Sequence, residues 1–150
     1  MKHYYAYEAF REDTRALLLK IKPYAPDVIV TIARGGFILS HALAEGLNIR
    51  NLQSVRTELY DATTKREHIT MYGRYELPKG AKVLLVDDIA DSGETLLHVS
   101  NYIEQNFPEV TCKTATLFYK KTSCFQPDFW VKEATQWIEF FWEKDFLIEE

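Results

Sequence analysis

The side chains best suited to chemistry lie in one short stretch, where two adjacent carboxylates precede a polar, glycine-containing loop. Asp87 and Asp88 follow the apolar run 83–86, and residues 91–95 read Asp-Ser-Gly-Glu-Thr where a helical pattern begins. Amides around a glycine and hydroxyls at a helix N-terminus can bind a phosphate. Carboxylates repel a phosphate unless a cation or a ligand hydroxyl lies between them. The stretch therefore predicts a site for a phosphorylated ribose, with Mg²⁺ bound by Asp87 and Asp88. An acidic strand end followed by an ordinary Ser/Thr helix start is the alternative.

A second strand–glycine–helix segment lies earlier in the chain. The apolar run 27–32 leads into Ala33-Arg34-Gly35-Gly36, and a helical pattern follows to about Gly46. An arginine at the carboxyl end of a strand offers a planar fork of donors that suits phosphate oxygens. Taken alone, however, this segment is better explained as an ordinary turn with a solvated arginine.

The spacing of apolar residues predicts the elements that position these side chains. Helical spacing predicts a helix over 8–21, and runs rich in apolar, β-branched or aromatic residues predict strands over 52–60, 71–75 and 111–119. The polar segment 61–70 lacks an apolar face and is predicted to be a solvated loop. Strands that alternate with helices indicate an α/β domain with a central, mainly parallel sheet, in which ligands bind at the carboxyl ends of the strands.

Composition limits the classes of protein that fit. A chain of 150 residues, 47% hydrophobic and 27% charged, predicts a single domain over residues 1–150. The net charge of −4 without a basic block argues against nucleic-acid binding, and no apolar stretch has the ~20 residues of a membrane span. Cys112 and Cys124 form no CxxC pair, which favours reduced thiols and a cytoplasmic location.

The stretch 83–95 resembles the ribose-phosphate signature of the type I phosphoribosyltransferases, and of their purine-salvage branch in particular. That signature is an apolar strand, two acids, two further residues, and Asp-Ser/Thr-Gly-x-Thr/Ser. Glu94 departs from the small, amide or basic residue common in the family, so its carboxylate must point away from a bound phosphate. Four more segments resemble family landmarks in the same order: Arg34-Gly35-Gly36, Arg66-Glu67, Phe118-Tyr119-Lys120, and Trp137-Ile138-Glu139 with Trp142-Glu143.

The resemblance implies a type I phosphoribosyltransferase-like fold, with helices flanking the sheet, a mobile loop at about 61–70 and a small C-terminal hood at about 127–150. It implies an enzyme of purine salvage that transfers the 5-phosphoribosyl group from 5-phosphoribosyl 1-pyrophosphate (PRPP) to guanine, xanthine or hypoxanthine. Mg²⁺ would be the cofactor, and the protein would be a homo-oligomer, either a dimer or a tetramer. A non-catalytic PRPP-binding regulator and a phosphoribosyltransferase for another base are the alternatives.

By the same resemblance, each candidate residue takes a role. Asp87 and Asp88 hold the ribose hydroxyls and Mg²⁺, while Asp91 accepts a proton at N7 of the purine. The 5′-phosphate is bound by the loop Asp91, Ser92, Gly93, Glu94 and Thr95. Pyrophosphate is bound by Arg34, Gly35 and Arg66, with a cis peptide bond expected between Arg34 and Gly35. The purine is bound by Lys120, Trp137 and Ile138, whereas Lys121 is expected to be solvated and Trp130 and Trp142 to belong to the core.

Overall fold

The computed structural model describes residues 1–61, 67–72 and 76–149. Strands and helices alternate through most of the chain. In chain order the elements are β1 (Lys2–Tyr5), α1 (Tyr7–Ile21), a 3₁₀ turn (Lys22–Tyr24), β2 (Val28–Ala33), α2 (Phe37–Leu47), β3 (Leu52–Asp61), β4 (Glu67–Tyr72), β5 (Lys82–Val86), β6 (Ile89–Ala90), α3 (Glu94–Asn106), β7 (Thr111–Ala115), β8 (Phe118–Tyr119), β9 (Lys132–Glu133), β10 (Trp137–Phe140) and α4 (Phe141–Lys144).

The central sheet is mainly parallel, as predicted. Its strands follow the order β4-β3-β2-β5-β7 within the described residues. Strand β2 pairs in parallel with β3 and β5, and β5 pairs in parallel with β7, while β4 runs antiparallel to β3 at the edge. Because β2 and β5 are neighbours with the same direction, their carboxyl ends bring Arg34 and the Asp87–Asp88 pair to one edge of the sheet.

Alternate residues of the two central strands bury their side chains on opposite faces of the sheet, as the two-residue period of a strand requires. On one face, Ile29 and Leu84 pack in a cluster with α1 and α2. On the other face, Val30 and Leu85 pack with α3. Both faces are covered, so strands β2 and β5 are almost wholly apolar. None of the helices within residues 1–61, 67–72 and 76–149 is both long and apolar enough to cross a bilayer.

Two sequence-based boundaries were wrong, one near residue 70 and one after Ala115. Residues 67–70, predicted to be loop, belong to β4, because an edge strand needs backbone pairing with its neighbour rather than an apolar face. The strand predicted over 71–75 is the end of β4, and residues 73–75 lie outside the described part. The strand predicted over 111–119 divides after Ala115, because the amide of Leu117 donates to the carbonyl of Asp88 at 3.0 Å and turns the chain out of the sheet.

Residues 127–149, the described part of the predicted hood, form short elements joined to distant parts of the chain. Strands β6, β8 and β9 form a small parallel sheet, and β10 pairs in parallel with the N-terminal strand β1. Tyr5 of β1 is fully buried, and its ring makes edge contacts with Phe118 and Phe140. The hood is therefore attached to the core through β1.

Candidate active site

The acidic pair lies at the end of β5, against the glycine loop that follows β2. The side chain of Asp88 is buried, and a methyl group added to Gly35 would lie 2.6 Å from its Oδ2 atom. The amide of Asp88 donates to Oδ1 of Asp87 at 2.9 Å. Only glycine at position 35 allows the two loops to meet this closely.

Burial raises the pKa of both carboxyl groups in the acidic pair. Desolvation and then the charge of Asp88 hold the pKa of Asp87 well above its usual value. Desolvation also raises the pKa of Asp88 to about 6, and the charge of Glu143 adds to this, while the side-chain hydrogen bond with Asp87 opposes it. Two crowded carboxylates suit a divalent cation, and Mg²⁺ is usually held by one or two carboxylates together with substrate oxygens. Within the described ranges, no group of three or more acidic, histidine or cysteine side chains forms a metal-binding cluster.

The predicted phosphate loop surrounds a cavity of about 200 Å³ lined by residues 87–93, 95 and 96. Gly93 has a φ of 85°, a left-handed conformation that side chains disfavour, and it immediately precedes α3. The amide of Glu94 donates to the Ser92 hydroxyl at 3.3 Å. Glu94 is exposed and is not among the residues that line this cavity, so its carboxylate does not face the predicted phosphate position.

A segment that the sequence analysis missed lies over the phosphate loop; we call residues 121–125 the cover segment. The amide of Cys124 donates to the carbonyl of Ser92 at 2.8 Å. A methyl group added to Gly93 would overlap the Ser123 hydroxyl and lie 2.7 Å from the Phe125 amide nitrogen. Gly93 is therefore required both for its backbone conformation and for this close approach. The sequence carries no signal for the contact, because it joins segments about thirty residues apart.

A second cavity, of about 230 Å³, lies between the acidic pair and the hood. Its lining comprises Asp88, Ile89, Asp91, Lys120, Ala134, Gln136, Trp137, Ile138, Phe140 and Glu143. The Nζ atom of Lys120 lies 3.1 Å from Oδ1 of Asp91. Lys121 instead pairs with Glu133 at 3.6 Å, so Lys120 rather than Lys121 faces this cavity. The structure thus brings Asp91 and Lys120 into direct contact and places Trp137 and Ile138 in the same lining.

The three tryptophans occupy different environments. Trp137 is 65% exposed, so its ring face is accessible to a planar ligand. Trp142 is half-buried and stacks on Phe140 with a centroid distance of 4.6 Å, in agreement with the prediction that it packs at the core. Trp130, predicted to be core, is also half-buried and packs on Tyr119. Sequence analysis assigned no role to Ile89, Gln136 or Glu143, which also line the cavity.

The predicted pyrophosphate loop follows β2 as expected, with one error of position. The cis peptide bond joins Ala33 to Arg34 and not Arg34 to Gly35. A methyl group on Gly36 would lie 2.7 Å from the carbonyl oxygen of Val86, so this glycine allows the loop to approach the end of β5. Arg34 is exposed beside Gly35. Arg66 and the remainder of 62–66 lie outside the described residues.

Comparison with known proteins gives a consistent picture. The Phosphoribosyl transferase domain family matches residues 2–147. A xanthine-guanine phosphoribosyltransferase of Idiomarina loihiensis is 28% identical over 118 residues, which cover 77% of this chain and 70% of the relative. The solved xanthine-guanine-hypoxanthine phosphoribosyltransferase of Helicobacter pylori is 30% identical and superposes with a TM-score of 0.89 over 97% of this chain and 96% of its own. A purine phosphoribosyltransferase of Pyrococcus horikoshii is 31% identical, with a TM-score of 0.85 and coverage of 99% and 98%.

Proposed function

The chain belongs to the phosphoribosyl transferase domain family, and from this premise we propose that it transfers the 5-phosphoribosyl group of PRPP to a 6-oxopurine. The observation that carries the proposal is the junction of two cavities. The cavity of the phosphate loop and the cavity beneath the hood share Asp88, Ile89 and Asp91 in their linings. A phosphorylated ribose in the first and a planar base in the second would meet at these shared residues, where the new glycosidic bond must form.

The reaction would be a direct displacement at C1 of the ribose. A purine ring nitrogen forms the new bond to C1 as the bond from C1 to the pyrophosphate oxygen breaks, and the purine loses one proton. The products are a nucleoside 5′-monophosphate, pyrophosphate and that proton. Because positive charge develops on the ribose ring, nearby carboxylates stabilise the transition state and the hood limits the access of water.

The residues of this chain divide these tasks. Asp91 accepts the proton at N7, which becomes more acidic as the purine attacks. The amides of residues 92–95 hold the 5′-phosphate, and Arg34, Gly35 and Arg66 hold the departing pyrophosphate. Asp87 and Asp88 would hold the ribose hydroxyls and Mg²⁺, and the bound ion would offset the charge of the phosphates.

Lys120 would select the base. A protonated lysine donates hydrogen bonds and accepts none, so it suits the 6-oxo group and disfavours the 6-amino group of adenine. Trp137 would stack on the purine face, and the chain at Ile138 would meet the purine edge. In the free protein, Nζ of Lys120 forms an ion pair with Oδ1 of Asp91 at 3.1 Å. A bound 6-oxopurine must therefore either share Lys120 with Asp91 or break this ion pair.

The direct test is to incubate the protein with PRPP, Mg²⁺ and one free base at a time, and to measure the nucleotide formed. We expect turnover with guanine, xanthine or hypoxanthine and little with adenine or uracil. Adenine as the best acceptor would contradict the role of Lys120. Tight PRPP binding without turnover on any base would instead favour the non-catalytic regulator.

A matched pair of variants isolates the purine-binding lysine. Lys120→Met should raise the KM for the base about tenfold or more, because a charge-assisted hydrogen bond contributes about 1.5–3 kcal/mol. Lys121→Met removes the same charge from the adjacent residue, which pairs with Glu133 outside the cavity, and should leave that KM unchanged. Equal effects of the two substitutions would show that only the net charge matters.

We also propose that the protein assembles as a dimer or tetramer. Support comes from four exposed apolar side chains that lie around one recess, Phe37, Ile38, Phe146 and Leu147. Phe146 and Leu147 are 73% and 67% exposed, and such a concentration of apolar surface is typical of interfaces. Light scattering should give at least twice the mass of one chain, and Phe146→Glu should reduce it. The cytoplasmic location stays a prediction from the cysteine content.

A further inference from the structure

Gln136 lies in the wall of the 230 Å³ cavity beneath the hood, which we call the hood cavity, and has no role in the reaction proposed above. The wall runs along the chain from Ala134 to Phe140, and its other members are apolar or aromatic. Gln136 immediately precedes Trp137, the ring proposed to stack on the base. Its side chain is exposed and forms no hydrogen bond with another of the described residues. The carboxamide is thus available to a ligand.

The arrangement of the cavity restricts how a purine can lie in it. If the 6-oxo group and N7 meet Lys120 and Asp91, that edge of the purine faces the ion pair. The glycosidic nitrogen must face the cavity of the phosphate loop, which is reached past Asp88 and Ile89. The purine edge that carries N1 and C2 is then left for the remaining wall, formed by residues 134–138 of the hood.

We propose that the Gln136 carboxamide binds the substituent at C2 of the purine and makes the enzyme favour guanine and xanthine over hypoxanthine. This inference rests on the proposed function and specifies the base that it uses. A carboxamide has an oxygen that accepts and an amino group that donates. Rotated one way it accepts from the 2-amino group of guanine, and rotated the other way it donates to the 2-oxo group of xanthine. Hypoxanthine carries only hydrogen at C2 and gains nothing.

The experiment compares three bases with four forms of the enzyme. The ratio kcat/KM is measured for guanine, xanthine and hypoxanthine at saturating PRPP and Mg²⁺. The enzymes are the native protein, Gln136→Met, Gln136→Glu and the control Gln105→Met. Gln105 is exposed on α3, outside the linings of both cavities. Hypoxanthine serves as the internal reference, because changes in folding, PRPP binding or catalysis affect all three bases alike.

The native enzyme should use guanine and xanthine better than hypoxanthine. Gln136→Met cannot form the hydrogen bond and should lose about three- to tenfold on guanine and xanthine relative to hypoxanthine, the contribution expected of one neutral hydrogen bond. The carboxylate of Gln136→Glu accepts hydrogen bonds but donates none. This variant should therefore keep the native kcat/KM for guanine and have a lower kcat/KM for xanthine. Gln105→Met should leave all three ratios unchanged.

Ratios that stay within twofold of the native values in Gln136→Met overturn the inference. Should that variant not fold, an unchanged guanine-to-xanthine ratio in Gln136→Glu overturns it instead. Failure of the proposed function is distinct, because then the native protein forms no nucleotide from any of the three bases, and the inference falls with it.

Discussion

The two halves of the candidate site are built in opposite ways. The sheet half, formed by the loops after β2 and β5, rests on strands whose side chains are buried on both faces, and Asp88 itself is only 8% exposed. The hood half contains the short strands β9 and β10, of two and four residues, and its Trp137 is 65% exposed. The core therefore fixes the position of the proposed phosphate and ribose site, whereas the proposed base site is less constrained by packing. Substitutions in the sheet half should change stability or PRPP use, and those in the hood should change the base used.

A cluster of polar side chains joins the hood to helix α1 and strand β1. The hydroxyl of buried Tyr5 donates to Oδ2 of Asp13 at 2.6 Å, and Nζ of Lys132 lies 3.1 Å from the same oxygen. Residues of β1, α1 and β9 thus meet at one carboxylate. Because β1 also pairs with β10, this cluster fixes the hood against α1.

The largest expected effect is at Asp91, where the two halves touch. Asp91→Asn keeps the shape of the side chain but removes the proton acceptor, and should lower turnover 10²–10⁴-fold, as typical for a positioned general base. PRPP affinity, measured by calorimetry, should change only modestly. If Asp91 merely helps to start the helix, asparagine would serve nearly as well, and near-native turnover would contradict the catalytic role.

The negative charge of Asp88 should lower the stability of the folded protein at neutral pH. The pKa of Asp88 is raised to about 6 in the folded state from an ordinary 3.8, so the folded protein binds the proton more tightly than the unfolded chain. The protonated Asp88 side chain is compatible with burial, so the stability contributed by this group is highest below about pH 4. Its contribution to the free energy of unfolding then decreases as pH rises from about 4 to 6 and does not decrease further above about pH 6. Asp88→Asn should therefore stabilise the protein at pH 7 by up to about 3 kcal/mol and have little effect at pH 4.

Urea unfolding in EDTA at a series of pH values measures this difference. Glu12→Gln, which removes one negative charge from the exposed face of α1, is the control and should show no such profile. A gain in stability of equal size at every pH would mean that packing, and not charge, accounts for the change.

Gly80 and Gly93 allow the effect of backbone conformation on stability to be measured separately from the effect of close packing. Gly80 and Gly93 have φ values of 77° and 85°, but a methyl group would meet nothing within 4 Å at Gly80 and would collide with the cover segment at Gly93. Gly80→Ala should cost about 1 kcal/mol of stability, from backbone conformation alone. Gly93→Ala should cost about 2 kcal/mol more and weaken PRPP binding, because the phosphate loop must move. Equal losses in unfolding experiments would show that the cover segment yields freely.

The hood should show the smallest effect and the most selective one. Trp137→Ala should raise the KM for the purine about five- to thirtyfold, since stacking of a base on an aromatic ring contributes about 1–2 kcal/mol. The KM for PRPP and the melting temperature should stay near native, because the ring is largely exposed. Leu19→Ala, which truncates another exposed apolar side chain outside the hood cavity, should leave the purine KM unchanged. An equal rise in the KM for PRPP in Trp137→Ala would contradict the proposal that the hood half binds only the base.

The same division explains what the sequence could and could not predict. Strands β2 and β5 and helix α1 follow from apolar periodicity, because local side chains decide their burial. The break between β7 and β8 does not follow from the sequence, because all of residues 111–119 are of types that favour a strand. The break depends on a hydrogen bond to the distant Asp88 carbonyl. The pairing of Lys120 with Asp91 and the contact of the cover segment with Gly93 are likewise long-range. The motifs identified loops that the structure brings together at one edge of the sheet, whereas Gln136 and Glu143 reach the same cavity only through the path of the C-terminal chain.

The parallel pairing of β1 with β10 has a consequence for biosynthesis. Lys2 is aligned with Trp137 and Tyr5 with Phe140. Strand β1 is synthesised early, but it can pair only after β10 has been synthesised near the end of translation. The neighbours β2, β3 and β5 can pair while translation continues, since domains form from the N-terminal side as the chain emerges from the ribosome. Once α3 has emerged from the ribosome, the predicted phosphate loop can therefore form, whereas the proposed base site is complete only after residues 137–140 have left the ribosomal tunnel.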